Sequence, residues 1–282
     1  MSRKNKSYNN TGDSGYRICL DKITALLLGD VFGTPGVRAL FTRLASLRKA
    51  HKADIVIVNG ENAAEGLGIT EEIAEQLFSL GVDVITSGNH IWHRREIVKL
   101  LDSDQPILRP ANYPPGTPGK GSVVVNVKST PVAVMNLQGR EDMRSIDCPF
   151  RTGKEIARKL QTQTKVILTD FHAESVGEKE SLAFHLDGQI SALIGTHTHI
   201  QTADEKIMPQ GCAYITDMGM CGPDDSVIGS SKEISVQRSL SQMPLKMEVS
   251  DTSAVIQGIK VVIDVKTGKA TKIERISETS LV

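Results

Sequence analysis

Three times between Ile23 and His90 an apolar run ends in a short polar turn that contains glycine. Ile23 to Leu28 stops at Gly29-Asp30, Asp54 to Val58 at Asn59-Gly60-Glu61-Asn62, and Val82 to Thr86 at Ser87-Gly88-Asn89-His90. Helical patterns lie between them. Pro35 suits a first helical turn, and Val37, Leu40, Phe41, Leu44 and Leu47 recur at helical spacing. Thr70 reads as an N-cap, with Glu71 and Glu72 in the first turn. Ile73, Leu77, Phe78 and Leu80 give that helix its apolar face, and Gly81 stops it. A repeating strand, polar turn and helix predicts βαβ units and a parallel sheet buried on both faces. Ligands of such sheets bind beyond the C-terminal ends of the strands, where these polar turns fall.

The second half changes character. Arg109 to Gly121 carries four prolines and three glycines in 13 residues and reads as a long loop. Val123 to Val127 and Val132 to Leu137 flank a Lys-Ser-Thr-Pro turn and predict a hairpin. A helix is expected around Thr152 to Leu160, a strand from Val166 into Thr169-Asp170-Phe171-His172, and a further helix at Glu178 to Leu186. Ile190 to Ile194 then ends at Gly195-Thr196-His197-Thr198-His199, and strands at Lys246 to Val249 and Val255 to Val265 close the chain. The polar segment 1–17 reads as a disordered leader or tag remnant, and 18–282 as one α/β domain with two sheets covered by helices.

Composition narrows the function classes. Lys plus Arg and Asp plus Glu both number 33, so the chain lacks the overall basic footprint of a nucleic-acid binder. Aromatics at 4% argue against a stacking platform for single strands. Four cysteines without a C-x-x-C pair exclude a disulfide scaffold and a zinc ribbon. No apolar run reaches the roughly 20 residues that span a bilayer. A cytoplasmic protein is the expectation.

Five strand ends deliver metal-type ligands: Asp30, Glu61-Asn62, Asn89-His90, His172, and His197 with His199. In extended backbone, residues i and i+2 project to one side, and the two imidazoles of His197 and His199 side by side suit metal binding. Two carboxylates, two carboxamides and three imidazoles, besides His90, exceed what one tetrahedral zinc needs. They suit two ions about 3.5–4 Å apart, the arrangement that clamps the attacking and leaving oxygens of a phosphoryl displacement. Mixed oxygen and imidazole donors favour iron, manganese, zinc or similar ions over calcium.

These motifs, together with Leu108-Arg109-Pro110-Ala111-Asn112-Tyr113-Pro114, the GTHTHIQTAD stretch from Gly195 to Asp204, and Tyr214-Ile215-Thr216-Asp217-Met218-Gly219, resemble the YmdB-like family of bacterial dimetal phosphodiesterases within the calcineurin-like metallophosphoesterase superfamily. The resemblance runs from about Ile23 to Ile276. It implies a four-layer α/β/β/α sandwich with two divalent or trivalent ions per chain, iron foremost, with manganese, zinc and magnesium as alternatives. It implies hydrolysis of 2′,3′-cyclic nucleotides, with 3′,5′-cyclic AMP a further candidate, by a metal-activated hydroxide. It also implies a homo-oligomer. Carried over by position, Asp30, Glu61, Asn62 and His199 hold the first ion, and Glu61, Asn89, His172 and His197 the second, with Glu61 bridging. His90 is the implied proton donor. The chain departs from the wider superfamily at Phe32, where a metal-binding His is common, and Asn62 compensates. It departs from the close family at His93, where Asp is usual, so His90 lacks that negative charge.

Asn112 is a candidate substrate contact or a turn cap, and Arg140 a candidate phosphate contact or a surface residue. Cys19, Cys148, Cys212 and Cys221 read as small buried hydrophobes. Gly66-Leu67-Gly68 lacks the third glycine of a dinucleotide fingerprint. Ser175 and Ser226 have no G-x-S-x-G setting for a nucleophile. A phosphomonoesterase such as a nucleotidase would use the same centre. A regulatory protein that holds a nucleotide or RNA end at the site is the reading from a different class. A nucleic acid is a weaker candidate partner than a small nucleotide, and no membrane partner is expected.

Overall fold

The computed structural model describes residues 21–280. The expected leader at 1–17 lies outside the described residues. The first half runs β1 (Lys22–Leu28), β2 (Asp30–Val31), α1 (Gly33–His51), β3 (Ile55–Asn59), α2 (Glu71–Ser79), β4 (Val84–Thr86), α3 (Ile97–Leu101), β5 (Ser122–Val127) and β6 (Thr130–Gln138). The second half runs α4 (Pro149–Leu160), β7 (Ile167–His172), α5 (Val176–Leu186), β8 (Ala192–Thr196), β9 (Lys206–Ile207), β10 (Ala213–Ile215), β11 (Met220–Pro223), α6 (Lys232–Ser241), β12 (Ala254–Asp264) and β13 (Ala270–Ser280).

Two sheets result. The first has the order β2-β11-β12-β1-β3-β4, with β13 paired to β12, and the second the order β5-β6-β7-β8-β10-β9. The βαβ rhythm produces parallel pairs β1/β3 and β3/β4, and in the second sheet β6/β7, β7/β8 and β8/β10. The predicted hairpin is the antiparallel pair β5/β6.

Side chains alternate across each strand, so each sheet feeds two cores. In β1, Leu26 and Leu28 join α1 and α2 residues such as Leu40, Leu44 and Leu77. Ile23, Ala25 and Leu27 face the other way, into a core shared with Val134, Leu168 and Ile194 of the second sheet. On the far side, Ile167 and Phe171 pack under Ala157 of α4 and Leu182 and Leu186 of α5. The layers are therefore helix, sheet, sheet, helix, as expected from the sequence. No helix among the described residues is long and apolar enough to cross a membrane.

Four local expectations need correction. Lys246 to Val249 is not a strand: only Val249 makes an isolated bridge, to Ser230, because Met247 and Glu248 are exposed on a surface rim with no neighbouring strand. Helix α4 begins at Pro149, three residues early, since proline is pre-set for a first turn. Helix α5 begins after Ser175, whose hydroxyl accepts the Glu178 N–H as N-cap. Cys148 is only partly buried, unlike Cys212 and Cys221. Helix α6 has no clear apolar period, and it buries none of its residues.

Candidate metal centre

All of the strand ends named above converge at one end of the two sheets. Asp30 opens β2, one residue beyond β1 and close against Gly219, and the approach demands glycine: a Cβ on Gly29 would lie 1.9 Å from the Gly219 carbonyl oxygen. Glu61 and Asn62 follow β3, Asn89 and His90 follow β4, His172 ends β7, and His197 and His199 follow β8.

Glu61 is central and fully buried. Its Oε1 lies 3.0 Å from His172 Nε2 and 3.2 Å from His90 Nδ1, and its Oε2 accepts the His90 backbone N–H at 3.2 Å. On one side, His172 Nε2 lies 3.1 Å from Asn89 Oδ1 and 3.0 Å from His197 Nδ1. On the other, Asn62 Nδ2 donates to His199 Nε2 at 3.0 Å, and that nitrogen lies 3.9 Å from Asp30 Oδ1. The donor atoms of Glu61, His172 and His197 all lie within 4.8 Å of one another.

Three observations test whether ions fit here. Asp30 Oδ1 is buried with no hydrogen-bond partner, a costly state for a carboxylate oxygen unless a cation meets it. Gly88 leaves a cradle against the cluster, since a Cβ there would lie 2.2 Å from both Glu61 Oε2 and the His172 ring. The outward nitrogens of the imidazoles are also occupied. His199 Nδ1 donates to the Ile228 carbonyl at 2.8 Å, and His197 Nε2 lies 3.1 Å from Glu174 Oε2. Inward lone pairs with outward protons are the usual state of ligating histidines. The residues fit.

Titration behaviour reflects the crowding. Burial raises Asp30 to about 6, although His199 and His172 pull the other way. Burial would also raise Glu61, but the charge and hydrogen bonds of His172 and His90 hold it well below the carboxylate range. His172 is opposed by burial, yet Glu61, Asp30 and Asp170 lift it to about 9. Burial and the charge of His172 push His197 down to about 3.

His90 Nδ1 donates to Asn62 Oδ1 at 2.8 Å, which leaves Nε2 as the free ring nitrogen. His93 supplies no carboxylate: its Nδ1 meets the His90 carbonyl at 3.1 Å, and its ring stands edge-on to His90 at 4.9 Å. Negative charge reaches the His90 ring from Glu61 instead. Phe32 contacts His199 edge-on at 5.3 Å, so an apolar ring walls the site at this position and offers no ligand atom.

Asn112 does not join the site. Its Nδ2 donates to the Gln138 and Asp147 carbonyls at 2.8 and 2.9 Å, and its Oδ1 accepts the Gln138 N–H at 2.9 Å. Every amide proton is spent on the main chain, so Asn112 clamps the Pro-rich loop to β6. Arg140 is exposed and lines no part of the site cavity.

Other contributors lie beyond the sequence motifs. His197 and His199 adopt left-handed backbone, φ 100° and 65°, which is strained for residues with a side chain. Asp217 holds the loop: its Oδ2 accepts the Thr198 N–H and hydroxyl at 3.0 and 2.9 Å, and it pairs with the fully buried Lys179 at 3.1 Å. A period-two reading of Asp170 and His172 would have flagged Asp170 on the ligand face of β7. Nothing in the sequence marks the Ile228 carbonyl. A cavity of about 410 Å³ opens over the cluster, with Leu67, Ile228 and Met247 exposed at its lip and Glu65, Glu174 and Glu248 on its walls.

The family described as "YmdB-like protein" matches residues 26–276. The chain is 43% identical, over 251 residues spanning 89% of it and 95% of the relative, to a 2′,3′-cyclic-nucleotide 2′-phosphodiesterase of Bacillus subtilis strain 168. It resembles the crystal structure of a hypothetical protein from Thermus thermophilus at a TM-score of 0.86 and 36% identity, covering 92% of this chain and 100% of that one. It resembles the crystal structure of a novel phosphatase from Mycoplasma pneumoniae at 0.87 and 34%, covering 93% and 95%.

Proposed function

The chain belongs to the YmdB-like protein family and has the calcineurin-like metallophosphoesterase fold, and from that premise we propose that it is a dimetal phosphodiesterase of cyclic nucleotides. The 2′,3′-cyclic nucleotides are the first substrate class, after the Bacillus subtilis relative, and 3′,5′-cyclic AMP is the second. One observation carries the reading: carboxylate, carboxamide and imidazole donors from five strand ends converge around Glu61, with Asp30 Oδ1 buried and unpartnered.

Asp30, Glu61, Asn62 and His199 would hold one ion and Glu61, Asn89, His172 and His197 the other, iron foremost, with manganese, zinc or magnesium as alternatives. Two such ions supply a water of lowered pKa and positive charge at the phosphoryl oxygens. The cavity needs that charge, because no Lys or Arg among the described residues lines it. His90 acts as proton donor. Asn62 and Glu61 hold its Nδ1, and Nε2 is left to protonate the departing alkoxide. Leu67, Ile228 and Met247 offer apolar surface to a nucleobase without hydrogen-bond selection among bases.

We further propose that 18–282 works as one unit, in the cytoplasm and as a homo-oligomer, the last open to sedimentation analysis. The central test combines elemental analysis of the purified protein with rates on bis-p-nitrophenyl phosphate and p-nitrophenyl phosphate. About two ions per chain and a diester preference are expected. A monoester preference would support a phosphomonoesterase instead, and a metal-free, inert protein a binding role.

A further inference from the structure

Beneath the ligands lies a carboxylate that the proposed chemistry does not use. Asp170 sits on β7 two residues before His172, on the face turned toward the first sheet, and is almost completely buried. Three groups donate to it. Thr196 Oγ1, at the end of β8, donates to Oδ1 at 2.7 Å. Asn59 Nδ2, at the end of β3, donates to Oδ2 at 2.9 Å, and the Thr86 hydroxyl, at the end of β4, donates to the same oxygen. Thr196 Oγ1 also lies 2.9 Å from His172 Nδ1.

The proton positions follow from these contacts. A carboxylate oxygen only accepts, so the Thr196 proton is committed to Asp170. The Thr196 oxygen can then only accept from His172, which puts a proton on Nδ1. With Nδ1 committed as a donor, Nε2 is the nitrogen that would give up its proton to an ion, and it faces Glu61 Oε1 at 3.0 Å, Asn89 Oδ1 at 3.1 Å and His197 Nδ1 at 3.0 Å. The same carboxylate reaches the other ligands by short routes. Asn59 Oδ1 accepts the Glu61 N–H at 3.1 Å, and Thr86 precedes Asn89 by three residues.

We infer that Asp170 is a positioning residue of the centre: through the Thr196 hydroxyl it commits His172 to the tautomer that offers Nε2 to the second ion, and through Asn59 and Thr86 it ties the two sheets together at the ligand-bearing ends. The inference rests on the dimetal reading and goes one step beneath it. It assigns no contact with substrate to Asp170. Asp170→Asn places an amide where a pure acceptor stood, so the Thr196 proton can turn to His172 Nδ1 and leave Nε2 protonated. Thr196→Val removes the relay at nearly constant volume, and Thr196→Ser keeps the hydroxyl.

The experiment measures zinc and manganese dissociation constants by competition titration, and ions per chain by elemental analysis, for wild type and the three variants, with circular dichroism and melting as the check on folding. Outer partners of ligating histidines typically contribute about 10–100-fold in metal affinity. That loss is expected at one of two ions in Asp170→Asn and Thr196→Val, with Thr196→Ser restoring affinity to within about twofold of wild type on the same scale. If Asp170→Asn does not fold, the Thr196→Val and Thr196→Ser pair decides alone. Variants that melt lower but keep both ions at wild-type affinity would reduce Asp170 to a structural hub and overturn the inference. A wild-type chain that takes up no ion fails the dimetal reading itself and takes this inference with it.

Discussion

Asp30 and His90 divide the work of the site at the scale of single residues. Asp30 carries a buried oxygen with no partner, and Asp30→Asn removes the charge that would draw an ion to it. Elemental analysis should find fewer ions in Asp30→Asn and the diesterase rate should vanish; two retained ions with full rate would mean that the site lies elsewhere. In the proposed mechanism His90 transfers a proton and ligates no ion. His90→Gln should therefore keep both ions while losing ~10²–10⁴-fold in kcat on a diester with an alkoxide leaving group. The loss should be much smaller with p-nitrophenolate, which departs without protonation. His172 sets a third expectation. Its pKa in the metal-free fold is raised from 6.5 to about 9, chiefly by Glu61 against the opposing effect of burial. The folded state therefore binds this proton more tightly than the unfolded chain does. The resulting stability is complete below pH 6.5 and disappears as pH rises to about 9. Melting of EDTA-treated protein should fall across that window. Metal-loaded protein should not show the fall, because ligation has already removed the proton.

The loop after β8 shows how an element can be held in an unfavourable conformation. His197 and His199 have positive φ, and Asp217 clamps the Thr198 between them. Asp217 is itself balanced by Lys179 on α5, and both side chains are fully buried. Removing one member of a buried pair strands the other charge, at roughly 3–5 kcal/mol. Lys179→Met should lose stability in that range by denaturant titration and should weaken metal retention, since the clamped loop carries two of the imidazoles. Retained stability would mean that the main-chain and hydroxyl donors satisfy Asp217 without the lysine.

Across the whole molecule, the core between the sheets joins strands from both halves of the chain, including Ile57 of β3 and Ile194 of β8. Ile57→Ala should cost about 2–5 kcal/mol, in the range of large-to-small core substitutions. Unfolding followed by circular dichroism should coincide with that followed by fluorescence of Trp92, the single tryptophan. Coincidence is the signature of one cooperative unit; separate midpoints would split 18–282 into two.

The parallel strands, the helices between them and the polar strand ends were legible in the sequence because each rests on local chemistry. Apolar runs, caps and glycine turns act over a few residues, and the convergence of strand ends follows from the handedness and packing of βαβ units. Asn112 illustrates the limit. Its neighbours in sequence say nothing of Gln138 and Asp147, whose carbonyls consume its amide. The Lys246 to Val249 segment has the residues of a strand but no partner strand beside it. The Ile228 carbonyl on His199, the Asp170 junction and the Lys179–Asp217 pair join residues 29, 26 to 111 and 38 positions apart. Pairings at such separations become definite only when the two sheets close on each other, because burial is what makes each donor require one particular acceptor.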